Sequence, residues 1–442
     1  MQFIEIKDFI LLPFYLAIIY AFAYSSRNSL YSLRHPLRKY YIPALSVRIV
    51  GAVGLGLVYQ YYYGYGGDTG NYFYNSKLIT EYFYKDLGTF FDLVFKPVLS
   101  TLEVRSTIGW NDRIFAFNEA NYFPIRILAV LHLFTFGTYL PSALFFAVLA
   151  FSGTWKAYLA FVNIFPALYK QFAIAVLFMP SVFFWGSGIL KDTIAMAALC
   201  WLFYCSYSLF ILGRGKIKNS VIIIISLFTI VIVKAYIAMA FVPGLLIWIF
   251  FTYKNRIRSQ ALRMASLPFL IVIIAIGSYF SYTRIAEQDA RFSAERIQAQ
   301  AVVVSTNMND AGSAIDIGVT TGMGPAQLVG IAPLAIITAI FRPFLFEVRN
   351  PLMLLSAIEG TYILYLFGLV IFKTGVLKSL RIVSGTPLLL FLLIFTLVFA
   401  FAVGFSTSNF GTLVRYKIPF VPFFMSSLFI IIYIGKLKEV KR

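Results

Sequence analysis

Ionisable side chains are scarce in this chain, so those set beside apolar runs or in glycine-rich turns are the first candidates for chemistry. Charged residues make up 12% of 442 positions. Asp68 lies in Tyr63-Gly64-Tyr65-Gly66-Gly67-Asp68-Thr69-Gly70, where glycines let the backbone turn sharply and approach a ligand closely. Lys191 and Asp192 follow Gly186-Ser187-Gly188, at the start of an apolar run. A helix beginning there would aim its unpaired N–H groups and positive dipole end at an anion. Arg342, Glu347 and Arg349 sit among aromatics and prolines in Phe341-Arg342-Pro343-Phe344-Leu345-Phe346-Glu347-Val348-Arg349-Asn350-Pro351. Arginine suits planar, bidentate recognition of phosphate. Arg415 and Lys417 end a polar run from Ser406, Lys234 interrupts an apolar stretch, and Arg126 opens another. A cationic set with a few carboxylates fits a phosphate- or pyrophosphate-bearing lipid, one carboxylate serving as general base to an acceptor hydroxyl. Each of these groups also has a plainer reading. Lys191 and Asp192 could pair with one another, and the cations could snorkel to an interface.

The elements that position these residues are membrane helices. The chain is 60% hydrophobic with a mean hydropathy of +0.83, so lipid must be its solvent. Apolar segments at roughly 8–25, 44–63, 124–152, 171–186, 190–212, 219–233, 236–252, 264–282, 352–372, 386–405 and 417–434 predict an all-α polytopic protein with about 11 transmembrane helices. Basic clusters near 27–39, 214–218, 254–263, 373–381 and 436–442 mark the cytoplasmic side. Even spacing of crossings between them puts the N-terminus outside and the C-terminus in the cytoplasm. It also makes 124–152 one long or Pro141-broken crossing, and 326–341 a re-entrant or interfacial segment. Residues 1–442 then form a single membrane domain with two long outer loops, 64–122 and 284–350. The first, rich in aromatics among charges, suits amphipathic helices in the headgroup region, or simply an interfacial aromatic belt. Ala21-Phe22-Ala23 resembles a cleavage site, but no basic stretch precedes the first apolar run, so that helix is expected to be retained.

Several classes of chemistry are disfavoured. The net charge of +19 follows the membrane-flanking clusters, which argues against nucleic acid as partner. Two separated histidines, His35 and His132, and two cysteines five apart, Cys200 and Cys205, do not make a His or Cys metal site. No Gly-rich loop ends in Gly-Lys-Ser/Thr, so ATP hydrolysis is not expected. No cofactor is expected, although an oxygen-ligand Mg²⁺ or Mn²⁺ site using Asp68 stays open.

These residues resemble those of bacterial inner-membrane proteins of polysaccharide assembly: the Wzy-like and EpsG-like polymerases and the wider GT-C class of lipid-linked-sugar glycosyltransferases. The likeness rests on the many-helix layout, the Gly-Asp element at Asp68 and the Phe183-Phe184-Trp185-Gly186-Ser187-Gly188-Ile189-Leu190-Lys191-Asp192 run. The Phe341-Arg342-Pro343-Phe344 run, and Arg415 with Lys417 before the last helix, complete it. It implies a multi-pass protein of the bacterial cytoplasmic membrane that moves glycan from a polyprenyl-(pyro)phosphate-linked donor during exopolysaccharide or O-antigen assembly, among other assembly proteins. By analogy Asp68 matches the catalytic carboxylate of GT-C enzymes, and Arg342 and Arg415 match the arginines with which Wzy-type polymerases grip lipid pyrophosphate. The related O-antigen ligases use an outer histidine, and this chain departs from that. A transporter or flippase of a lipid-linked sugar or other anion, or a non-catalytic envelope scaffold, is the alternative.

Overall fold

The computed structural model describes residues 2–64, 66–101, 119–254, 325–407 and 409–440, with isolated positions between 259 and 272. All described secondary structure is helical. In chain order the principal helices are α1 (Ile6–Leu30), α2 (Arg38–Leu57), α3 (Gly67–Lys85), α4 (Leu87–Phe95), α5 (Glu119–Thr135), α6 (Tyr139–Ile164), α7 (Pro180–Trp185) and α8 (Lys191–Ser206). They continue with α9 (Lys216–Tyr253), α10 (Pro325–Phe341), α11 (Pro351–Leu369), α12 (Val376–Ser384), α13 (Pro387–Ser406), α14 (Phe410–Tyr416) and α15 (Val421–Val440). Among the described residues seven helices are long and apolar enough to cross a membrane, or eight if α14 and α15, bent by 66°, form one span.

The expected segments at 8–25, 44–63, 190–212, 352–372, 386–405 and 417–434 correspond to helices. Others differ for local reasons. Residues 124–152 are not one helix, because Phe136 and Gly137 both turn left-handed (φ 52 and 63) and end α5. Pro141 does not break a helix; it sits in the first turn of α6, where no N–H is needed. Residues 171–186 fragment into a short helix at Tyr169–Phe172, a π-turn at Ala173–Leu177 and α7, since Pro180 disfavours helix at the residue before it. The two segments expected at 219–233 and 236–252 are joined without a loop in α9, whose only non-helical residue is Lys234 (φ −154, ψ 72). Each half is about 27–29 Å long, close to one bilayer thickness. The segment expected at 264–282, and the loop from 284 up to α10, lie outside the described residues.

The chain forms two compact units, each discontinuous in sequence. The first comprises Met1–Leu159, Val182–Cys205 and Ser220–Lys234. In it the loop expected over 64–122 begins with a packed helix. Buried Thr69, Tyr72, Phe73, Ser76 and Ile79 recur at three- and four-residue spacing on α3 and turn one face to α5, where Phe73 meets His132 edge-on. His132 is thus buried on a packed helix, as a core histidine would be.

The second unit comprises Ala160–Ser181, Ser206–Asn219 and Ala235–Arg442. Its core is an aromatic cluster in which Phe241 meets Phe391 and Phe395 edge-on at 5.0 and 5.1 Å, and Phe395 meets Phe423 at 5.3 Å. Such pairings of quadrupoles add to the area they bury. The stretch expected to be re-entrant or interfacial is the 17-residue helix α10, packed along α13. A methyl group on Gly404 of α13 would fall 2.0 Å from the Ala335 carbonyl oxygen, so glycine permits the approach.

Candidate functional site

In the first unit Asp68 stands in the first turn of α3, half-buried. The helix starts from Gly66 and Gly67, both with positive φ, and a Cβ on Gly67 would strike the Tyr59 ring at 2.4 Å. Beside Asp68 the Thr69 hydroxyl shares a 2.7 Å hydrogen bond with the Tyr139 hydroxyl, fixing this turn to α6.

Lys191 and Asp192 each reach a partner on another helix. Lys191 Nζ donates to Asn121 Oδ1 at 2.9 Å, and the Tyr72 hydroxyl reaches the same oxygen at 3.4 Å. Asp192 Oδ1 accepts from Lys234 Nζ, and both side chains are almost fully buried. This ion pair joins the first turn of α8 to the break in α9, which explains why that break carries a lysine. Arg126 is held by Glu119 at 2.7 Å, donates to the Lys96 carbonyl and lies over the Tyr122 ring at 4.5 Å. Three expected phosphate ligands of this unit therefore have protein acceptors.

Arg48 was not singled out from the sequence. It lies in the middle of α2, 1% exposed, and donates through Nη1 to the carbonyls of Val182 at 2.6 Å and Gly186 at 3.2 Å, with the Ser187 hydroxyl at 3.4 Å. These are carbonyls freed at the end of a helix. Its Nη2 is buried without a partner among the described residues. A lone arginine inside an apolar run was the available signal.

In the second unit Arg342, Glu347 and Lys417 come together. Arg342 Nε donates to Glu347 Oε1 and Oε2 at 2.9 and 3.1 Å and Nη2 also reaches Oε1, a forked pairing. Glu347 further accepts from the Phe344 N–H at 2.8 Å, so the short turn around Leu345–Glu347 aims the carboxylate back at Arg342. The guanidinium lies over the Phe410 ring at 5.1 Å. That ring opens α14, whose first turn is capped by Asn409 accepting from the Thr412 N–H.

Lys417 lies at the bend between α14 and α15, 0% exposed. Its Nζ reaches the Arg342 carbonyl at 3.4 Å and feels the charge of Glu359. Glu359, 2% exposed on α11, accepts from the backbone N–H and hydroxyl of Ser181 at 2.8 and 2.7 Å. Sequence reasoning passed over Glu359 too; a carboxylate inside an apolar helix was the sign of it. Arg415 is half-buried on α14, and Arg349 is exposed before α11.

The expected residues thus divide by unit: Asp68, Arg126, Lys191, Asp192 and Lys234 in the first, Arg342, Glu347, Arg349, Arg415 and Lys417 in the second. No protein-family model, curated protein or solved structure matches the chain. What the arrangement can do is therefore argued from its chemistry. Among the described residues no three His, Cys, Asp or Glu side chains are grouped to hold a metal ion. The second unit presents instead two withdrawn cations, Arg342 clasped by a carboxylate over an aromatic ring and Lys417 set against a backbone carbonyl within the field of Glu359.

Proposed function

We propose that the protein transfers glycan from a polyprenyl-(pyro)phosphate-linked donor at the outer face of a bacterial cytoplasmic membrane, in the manner of a polysaccharide polymerase or a GT-C glycosyltransferase. The observation that carries this reading is the fully buried Lys417, which lies against the backbone of Arg342, feels the charge of Glu359 and has no ion-pair partner within salt-bridge distance among the described residues. Withdrawing an ammonium from water costs several kcal/mol unless an anion compensates it. A membrane protein that keeps such a group has a use for it. A lipid phosphate would bring an anion into direct contact with this ammonium, and the Arg342 fork has the geometry for a second phosphate oxygen.

In this reading Arg342, Lys417 and Arg415 hold the donor phosphates, with Arg349 at the exposed approach. The acceptor hydroxyl oxygen bonds to the anomeric carbon while the carbon–oxygen bond to phosphate breaks. The electron pair leaves with the phosphate, where the cations stabilise it. The hydroxyl proton passes to a carboxylate acting as general base. Glu347 occupies the Arg342 fork, so a donor phosphate would compete with this carboxylate for the guanidinium.

The test has a genetic arm and a biophysical arm. Deleting the gene in its host and separating surface and lipid-linked glycans should show single complete repeat units without long chains if the protein polymerises. A truncated unit lacking one sugar would indicate single-sugar transfer. Lys417→Met should keep the protein folded in the membrane, since an apolar chain of similar length fills the buried site, yet fail to restore the glycan. An unchanged glycan profile in the deletion, or full rescue by both Lys417→Met and Arg342→Ala, would sink the reading in favour of a transporter or scaffold.

A further inference from the structure

A second cationic site lies wholly within the first unit, where α1 ends and α2 begins. Two guanidinium groups converge there on one neutral oxygen. Asn28 Oδ1 accepts from Arg27 Nη2 at 3.1 Å and Nε at 3.4 Å, and from Arg38 Nη2 at 2.6 Å. Arg38 Nη1 is spent on the Tyr31 carbonyl at 2.7 Å. Arg34 and Lys39, both exposed, and His35 line the same concavity, which has a volume of about 380 Å³. No Asp or Glu occurs between residues 9 and 67, so the flanking sequence brings no carboxylate to this group.

The local backbone adds to the imbalance. Arg38 and Lys39 occupy the first turn of a 20-residue helix, where the dipole already presents positive charge, and no acidic residue or side-chain cap offsets it. Basic residues are normally disfavoured at that end. Retention of a loop on one side of a membrane requires only its charge. It does not require two guanidiniums to be drawn together, nor a concavity around them. Convergence of like charges is stable when an anion completes the set.

The surface beside the concavity says which anion. α1 is only 11% buried over its apolar window, and Phe22, Leu30 and Leu33 are exposed at its end or just beyond, Leu33 on the concavity itself. A soluble phosphate has no use for such a wall, whereas acyl chains would lie along it. We infer that this site binds the phosphate headgroup of an anionic phospholipid, with Arg27, Arg34, Arg38 and Lys39 around the phosphate and the bare face of α1 against the acyl chains. It is independent of the donor site in the second unit.

The test uses the full-length protein, purified in a neutral detergent and delipidated, with phosphatidylglycerol, phosphatidylcholine and glycerol 3-phosphate as probes. Phosphatidylglycerol should bind in native mass spectra and raise the melting temperature. Phosphatidylcholine and glycerol 3-phosphate should bind at least tenfold more weakly. These wild-type comparisons decide the ligand class without any variant. Arg34→Gln with Lys39→Gln removes two exposed cations and should weaken phosphatidylglycerol at least fivefold. Arg214→Gln with Lys216→Gln removes two exposed cations elsewhere and should leave it unchanged. Equal binding of phosphatidylcholine, equal binding of glycerol 3-phosphate, or equal loss in the two double variants would each overturn the assignment. They would point respectively to a charge-blind lipid surface, a free-phosphate site, or unspecific attraction.

Discussion

Arg342 and Lys417 are both cations withdrawn from water, and they meet that cost differently. Arg342 is neutralised by Glu347 in a forked pair, with both side chains partly exposed. Lys417 is fully buried, set against a carbonyl and within the field of Glu359. If the fork is a phosphate grip, Arg342→Lys should not rescue it, because an ammonium cannot offer two parallel N–H groups. Both Arg342→Lys and Arg342→Ala should lower transfer by about 10²-fold or more, read as initial rates on a lipid-linked donor. Glu347→Gln should act in two directions: a small loss of thermal stability with the pair gone, and a lower KM for donor because nothing competes for Arg342. The Asp192–Lys234 pair is of another kind, with both partners buried and each satisfying the other. Asp192→Asn or Lys234→Met alone should destabilise by about 3–5 kcal/mol, and the double variant should recover much of that loss in thermal melts. Equal and additive losses would show that the two groups are not coupled.

At the scale of elements, helices meet where glycine removes the side chain. Gly404 faces the Ala335 carbonyl in the second unit, and Gly51 faces the Phe183 carbonyl at 2.1 Å from a notional Cβ in the first. Gly404→Leu would have to push α13 from α10, and overpacking of this sort costs about 1–3 kcal/mol or more. The expected readout is a lower melting temperature and less protein in the membrane. α4 offers a pH test. Asp86 caps it, and the Thr89 hydroxyl, with the Thr89 and Gly88 N–H groups, holds its carboxyl below the usual value of 3.8. Because the folded value is the lower, the cap contributes fully above the unfolded value and is lost as pH falls through the folded one. Hydrogen exchange in α4, corrected for intrinsic rate, should rise below about pH 4 in wild type and be flat in Asp86→Asn.

Most spans were legible because twenty apolar residues in a row have few other fates. The turn at Phe136–Gly137 was not, because a left-handed phenylalanine has no sequence signature. Lys234 was legible as a break, but its partner Asp192 was not, since the two are 42 residues apart. Arg48 and Glu359 were hidden differently: each is one charge inside a segment whose average stays apolar, and averaging erases the outlier. The residues for the donor site could be named from their types, but their division between two units could not.

For the whole molecule, the distribution of charge makes a claim about sidedness. Basic clusters flank apolar runs, and the orientation expected from them, N-terminus outside and C-terminus in the cytoplasm, is open to a direct test. A reporter active only in the cytoplasm should work when fused after Arg442 and fail when fused before Met1; the reverse pattern would invert the orientation on which the outer-face reading rests. α1 carries a further consequence. It buries little surface yet is tied at intervals: Asp8 Oδ1 accepts from the Leu140 N–H, the Tyr15 hydroxyl donates to the Phe134 carbonyl, Tyr20 meets Ser46, and Asn28 meets Arg38. Greasy contact alone would let a helix slide in lipid. Four polar clips spaced along 25 residues would not, because a slip of one turn, about 5.4 Å, breaks them all together. The first helix therefore behaves as a latch with a single closed position, set by register and not by area.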